Sequence, residues 1–323
     1  MTSARVGLST VTNDIMNYKK YETYRSLRAL SIGDASGENE MKVLPQAAYK
    51  AGNVAIERGV SIEIANHWPW TDDTHMAIGV TRVLFKFNGI DQKALADEFA
   101  NNYYKDRMRG YGNGTGRLLQ LFLYDSENWK SHSSTWWQTP NGFSGSIGNG
   151  SAMRDTVIGA HFGLDFDAVT ASARASAEVT HYSDPAIAGS IAVALAAAIA
   201  TYGNLDDYWS TILRFTPSGE LRDRIEWVSQ QDAQHTSNWD VVTKVGNGKN
   251  VLVLDTVPFA LWQAYQMLLW NRPFAEGINS IIEVGGDTDT LGAIYGGIIG
   301  NRIFPTKEED LRTEPLPEDL VAE

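Results

Sequence analysis

The sequence contains no cysteine. Disulfides, zinc–thiolate sites and cysteine nucleophiles are therefore excluded, and the redox compartment is left open. Histidine is scarce, with six in 323 residues, and His67, His75, His132, His161 and His235 show no metal-ligand spacing. A P-loop and a dinucleotide-binding fingerprint are both missing. Ser144 to Ser146 lies in no strand-to-helix context, so a Gly-x-Ser-x-Gly elbow and serine–histidine–acid hydrolysis have no support. Residues 1–20 lack the apolar core of a secretory signal, and a cytoplasmic protein is expected. Basic charge is short too: 27 Lys and Arg against 39 Asp and Glu give a net charge of -12. That balance argues against an electrostatic hold on bulk nucleic acid or an anionic membrane, and favours a small ligand. The one long apolar run, 186–200, is interrupted only by Ser190. It is mostly alanine and falls short of the roughly 20 strongly apolar residues that a span needs. With Asp184 as N-cap and Pro185 as first helical residue, it is expected to be a buried helix.

Hydrophobic residues make up 43% of the chain, and no Pro- or Ser-rich linker divides it. Apolar spacing of helical period predicts helices over 46–56, 74–87, from Asp91 onward, and over 151–162, 166–179, 185–202, 205–213, 221–230, 256–270 and 290–303. Pro258 would sit in the first turn of its helix. Leu27, Leu30 and Ile32 lead into Gly-Asp-Ala-Ser-Gly-Glu at 33–38, read as a helix running into a tight turn. Segments 109–116 and 139–150 are rich in glycine and read as loops, and a turn near Asn247 and Gly248 separates two apolar runs. Gly292, Gly296, Gly297 and Gly300 leave room on the last helix for another backbone. Strand-like alternation is rare. The expected architecture is all-α, one domain over 21–305, with a polar arm at 1–20 and an acidic tail at 306–323.

Two acidic stretches stand out. Gly285 to Thr290 reads Gly-Gly-Asp-Thr-Asp-Thr, and Thr71 to Thr74 reads Thr-Asp-Asp-Thr. Hard ions such as magnesium take oxygen ligands from carboxylates, hydroxyls and water, which these residues supply without cysteine or histidine. At a helix start Asp72 and Asp73 would point about 100 degrees apart, so one pair can serve two neighbouring ions. Either stretch alone also reads as a helix N-terminus, with Thr and Asp capping free amides. Together, beside paired glycines, they favour a cation site assembled from both ends of the chain. A third stretch, Gly145 to Arg154, runs from glycines into a helix start and could offer amides to an anion, with Arg154 assisting. His181, just ahead of the alanine-rich helix, could donate to a phosphate or ribose, although a lone histidine there is more often structural.

Six stretches in order, GDASGE at 33–38, TDDTHM at 71–76, RGYGNGT at 109–115, GNGSAMR at 148–154, THYSDP at 180–185 and GGDTDT at 285–290, resemble the ADP-ribosylglycohydrolase family. That group contains dinitrogenase reductase activating glycohydrolase and the ADP-ribosyl hydrolases of animals. The resemblance runs from about residue 27 to 303. It implies a compact multi-helix fold with a dinuclear cleft for two magnesium ions, or manganese in their place. Thr71, Asp72, Asp73, Asp287, Asp289 and Thr290 would bind the metals. Ser146, Gly148, Asn149, Gly150 and Met153 would cradle the diphosphate and ribose, His181 would touch the ligand, and Gly112, Asn113, Gly114 and Thr115 would close over it. Catalysis would fall to Glu38, Asp73 and Asp289. Many members place a metal-proximal glutamate where this chain has Met41; Glu38 is taken in its place, with Glu40 in reserve. Some arginine-specific members carry an acidic residue in the loop occupied here by Tyr111 to Gly114, so no proton donor is assigned.

The expected activity is magnesium-dependent hydrolysis of the glycosidic bond between ADP-ribose and an acceptor, reversing ADP-ribosylation. The partner would be an ADP-ribosylated protein or small molecule, and ADP-ribose the product. Two other readings fit parts of the sequence. A magnesium-dependent phosphoesterase also uses paired aspartates and would leave cleaved phosphate. A non-catalytic immunity protein would instead sequester ADP-ribose or an ADP-ribosyltransferase toxin, with the N-terminal arm as a contact.

Overall fold

The computed structural model describes residues 3–43, 67–136 and 145–321, with the side chains of 3–15, 40–43 and 136 outside the description. The helix expected over 46–56, the first half of the 139–150 loop and the side chain of Glu40 therefore lie outside the described residues. In chain order the helices are α1 Ser3–Val43, α2 Asp72–Phe87, α3 Gln92–Lys105, α4 Asn113–Asp125, α5 Trp129–Trp136, α6 Thr156–Phe162 and α7 Phe166–Thr180. They continue with α8 Asp184–Tyr202, α9 Tyr208–Phe215, α10 Glu220–Ser229, α11 Asn238–Val245 and α12 Val253–Trp270, then α13 Phe274–Val284, α14 Thr288–Ile299 and α15 Lys307–Arg312. Among the described residues no strand forms; Trp68 with Thr313 and Gly148 with Leu252 make isolated bridges. The fold is all-α, as the periodicity predicts.

The alanine-rich run is the centre. Every residue from Ala186 to Ala200 in α8 is buried, and α6, α7, α9, α12 and α14 surround it. Short side chains on all faces let these neighbours approach closely, and a helix that is apolar all round is buried all round. Among the described residues it is the one helix long and apolar enough to cross a membrane, and the protein itself covers it.

α1 and α14 meet backbone to backbone. A Cβ added at Gly33 would strike the carbonyl of Gly292, one at Gly37 that of Thr288, and one at Gly296 that of Ala29. Thr288 Oγ1 donates to the carbonyl of Gly37 at 2.9 Å and Ser26 Oγ to that of Gly297 at 2.7 Å. This corrects the turn expected at 33–38: α1 runs straight through it. Neither Gly33 nor Gly37 has a positive φ, so their value is the missing side chain rather than backbone freedom. Residues 3–20, expected as an arm, form the first part of the same helix.

Other boundaries shift for local reasons. The 109–116 loop is shorter than expected because α4 begins at Asn113, and the helix expected over 151–162 splits into a 3-10 turn at Ala152–Arg154 followed by α6. α12 starts at Val253, so Pro258 lies inside it rather than in its first turn. The ring leaves the carbonyl of Leu254 without its helical donor. Arg224 Nη1 fills the gap, donating to Leu254 O at 3.0 Å. α14 spans 288–299 instead of 290–303, ending at Gly300. The segment beyond 305 folds back on the domain: Leu316 and Leu320 are buried, and Arg28 Nε pairs with Asp310 Oδ1 at 2.7 Å.

Candidate active site

Asp34 organises one wall. α1 carries its carboxylate into a fully buried position, where Thr71 N and Thr71 Oγ1 each donate to it at 2.9 Å, Thr74 N at 3.1 Å and Thr74 Oγ1 at 2.6 Å. A residue on α1 thus satisfies the start of α2, whose first amides have no helical acceptor. Thr71 is itself the N-cap of α2, accepting weakly from Asp73 N at 3.3 Å. The capping reading of this stretch is therefore correct for Thr71, and it leaves Asp72 and Asp73 for other work.

The opposite wall comes from the start of α14. Gly285 and Gly286 take φ of 65° and 94°, which turns the chain so that Asp287 and Asp289 enter the same space. Asn149 Nδ2 donates to Asp287 Oδ2 at 2.6 Å and to Thr256 Oγ1 at 3.0 Å. Asp289 Oδ1 accepts from Thr290 N at 2.9 Å. Asp72, Asp73, Asp287, Asp289 and Thr290 all line one cavity of about 340 Å³. Its remaining wall holds Gly112, Asn113, Gly114 and Thr115 at the start of α4, together with Ser146, Gly148, Asn149, Gly150, Met153 and His181. Stretches separated by more than two hundred residues are brought together.

Two expected site residues lie elsewhere. Thr71 and Glu38 line an adjoining recess of about 420 Å³ that shares Gly110 with the cavity. The Thr71 hydroxyl is committed to Asp34 and, at 3.1 Å, to Asp73 Oδ2. Arg154 does not reach the cavity either. It is wholly buried, stacked 4.5 Å from the Phe99 ring centre, and donates to the carbonyls of Gly150 at 3.1 Å and Ser176 at 2.9 Å. It holds the glycine loop from behind instead of meeting an anion.

Carboxylates dominate the electrostatics of the cavity. Burial raises Asp34 to about 7, with Asp289 adding to the rise. Burial, then Asp34 and Asp289, raise Asp72 to about 8, and burial and Asp289 raise Asp287 to about 8. Asp73 is pushed well above the carboxylate range by burial and by its four acidic neighbours. Like charges crowded in a poorly solvated space keep protons unless a cation replaces them. Asp73 Oδ1 is buried and has no hydrogen-bond partner, a cost that a cation or its water would relieve. Among the described residues, as placed, no group of three or more acidic or imidazole side chains could by itself hold a metal ion. Magnesium does not need one, since it keeps several waters and binds through one or two carboxylates. The donor set fits a hard divalent ion.

His181 faces the cavity as a neutral ring: burial, then Arg154, lowers it to about 3, and Thr180 Oγ1 lies 2.8 Å from Nδ1. A Cβ at Gly150 would sit 2.9 Å from His181 Cε1, so the glycine makes room for the imidazole. Sequence reasoning missed Asp34, Gly110, Thr256 and Val251. Asp34 had a signal, being the one acid in a run of small residues. Val251 had none: it lines the cavity at φ 53°, unusual for a β-branched residue, and its carbonyl accepts from Asn149 N at 3.1 Å.

The comparisons identify the family. The family model ADP-ribosylglycohydrolase matches residues 22–303. The chain is 28% identical over 259 residues to human (Homo sapiens) ADP-ribosylhydrolase ARH3, covering 72% of this chain and 70% of that one. It is 25% identical over 265 residues to an uncharacterized protein of Archaeoglobus fulgidus, covering 79% and 80%. A solved structure named as an ADP-ribosylglycohydrolase-related protein complex superposes with a TM-score of 0.58 over 88% of both chains at 18% identity, a likeness of fold. Because the matched span includes every segment that lines the cavity, the chain belongs to the ADP-ribosylglycohydrolase family, with hydrolysis of ADP-ribose conjugates as its general activity.

Proposed function

We propose that the protein is a magnesium-dependent hydrolase that cleaves the glycosidic bond between ADP-ribose and an acceptor, such as a protein side chain, and so reverses ADP-ribosylation. The observation that carries this is the meeting of Asp72 and Asp73 with Asp287 and Asp289 in one cavity, where Asp73 Oδ1 lacks a partner. Asp72, Asp73, Asp287, Asp289 and Thr290 would hold two magnesium ions, or manganese. Bound there, a divalent ion supplies a water of lowered pKa at neutral pH.

The chain's own groups do the rest. Amides of Asn113, Gly114 and Thr115 at the head of α4, with that of Gly150, orient the diphosphate, so that binding far from the reacting carbon fixes its position. Asn149 holds Asp287 in one orientation, and neutral His181 offers a hydrogen bond without adding charge. Glu38 is assigned to the attacking water from the recess beside Gly110. On this reading the partner is an ADP-ribosylated protein or small molecule, formed by an ADP-ribosyltransferase in the same cytoplasmic compartment. Arginine-, serine- and nucleobase-linked ADP-ribose, each incubated with and without magnesium, test it. Release of intact ADP-ribose from at least one linkage only with the metal is expected. Cleaved phosphate would mark a phosphoesterase, and no turnover of any linkage would refute the assignment.

A further inference from the structure

The loop that leads to Gly112 is held by Arg109, alongside Tyr111, whose hydroxyl lies 2.9 Å from His75 Nδ1. Arg109 lies 3.7 Å above the Trp70 ring centre and uses its whole guanidinium. Nε donates to Asp106 Oδ2 at 2.8 Å, Nη1 to the Trp70 carbonyl at 3.0 Å and to Glu314 Oε2 at 2.6 Å, and Nη2 to Glu314 Oε1 at 2.7 Å. Trp70 immediately precedes Thr71 and Asp72. Gly110 follows Arg109 with φ 91°, and a Cβ there would sit 3.4 Å from Asp72 Oδ1. From the recess beside the cavity, Arg109 thus ties the segment that leads into the acidic wall to the glycine loop.

Beside Asp106, the second and two-bonded carboxylate partner of Arg109 comes from outside the family-matched span, which ends at residue 303. Glu314 is fixed at both backbone ends: its N donates to Trp68 O at 2.9 Å, and its carbonyl accepts from Arg28 Nη1 at 2.7 Å. A fork-to-fork pair sets both distance and plane, which a point charge would not. We infer that Arg109 and Glu314 are a positioning pair, through which the C-terminal segment sets the loop Gly110–Thr115 against Asp72 for substrate binding. The substrate part of this inference rests on the function proposed above; the placement of the loop does not.

The same segment carries a comparison. Arg82 makes a similar two-bond pair with Asp319, at 2.8 and 2.9 Å, and touches neither the loop nor the cavity. Glu314→Gln and Asp319→Asn therefore each weaken one tie of one segment. Amide hydrogen exchange over residues 106–116 and steady-state kinetics on an ADP-ribosylated substrate separate the two roles. Glu314→Gln should speed exchange in that stretch roughly tenfold and raise KM about fivefold or more with a smaller change in kcat. Asp319→Asn should change neither. Equal exchange in the two variants, or in Glu314→Gln and the parent, overturns the inference even if the enzyme is active. Absence of turnover in the parent protein sinks the functional reading and leaves the exchange result to decide the positioning role.

Discussion

Adding magnesium should stabilise this protein more as the pH rises. Burial and neighbouring carboxylates raise Asp72 and Asp287 to about 8 in the folded chain, above the ordinary 3.8. In that window the metal-free folded state keeps protons that the unfolded state has lost, so its stability falls with rising pH and levels off above about 8. Each retained proton costs about 1.4 kcal/mol per pH unit. A divalent ion displaces those protons, so its affinity should tighten about tenfold per pH unit for every proton displaced. For a domain of this size about 1.4 kcal/mol corresponds to roughly 3 °C in Tm. With two protons displaced, melting curves at fixed excess magnesium should then show a shift that grows by roughly 6 °C per pH unit between pH 6 and pH 8. A shift independent of pH, or none at pH 8.5, would refute the assignment of these carboxylates to a cation.

Further substitutions separate the parts. Asp289→Ala should abolish the magnesium-dependent Tm shift and cut hydrolysis by roughly a thousandfold; full activity would remove Asp289 from the site. Asn149→Ala leaves Asp287 without its 2.6 Å donor, and magnesium affinity by calorimetry should fall roughly tenfold to a hundredfold, the range for groups that orient ligands. Asp34→Ala strands four donors at the head of α2, and should cost about 2–4 kcal/mol in denaturant unfolding; Asp34→Asn, which keeps acceptor capacity, should lose less.

Much of the site was legible because ligand chemistry is written in residue type. Asp72, Asp73, Asp287 and Asp289 were recognisable as carboxylates next to glycine and threonine, and the family resemblance joined them. What the sequence concealed was how residues are used. Gly33 and Gly37 look like turn glycines, yet they face the Gly292 and Thr288 carbonyls, because a missing side chain serves close approach as well as it serves a turn. Arg154 looked like an anion ligand from its place after a glycine loop, and packing turned it inward to Gly150 and Ser176. Asp34 acts on a helix that begins 38 residues later, a partnership that periodicity does not carry. The α8 core was readable from alanine content alone. The role of Glu314 was not, since one glutamate among several in an acidic tail gives no sign of its arginine.

The most direct measurement follows free ADP-ribose over time from arginine-, serine- and nucleobase-linked conjugates, with magnesium and with a chelator, for the parent protein and Asp289→Ala. Release by the parent, lost both in chelator and in the variant, is the expected result. Equal release in chelator, or unimpaired release by Asp289→Ala, would contradict a cation held by the paired aspartates.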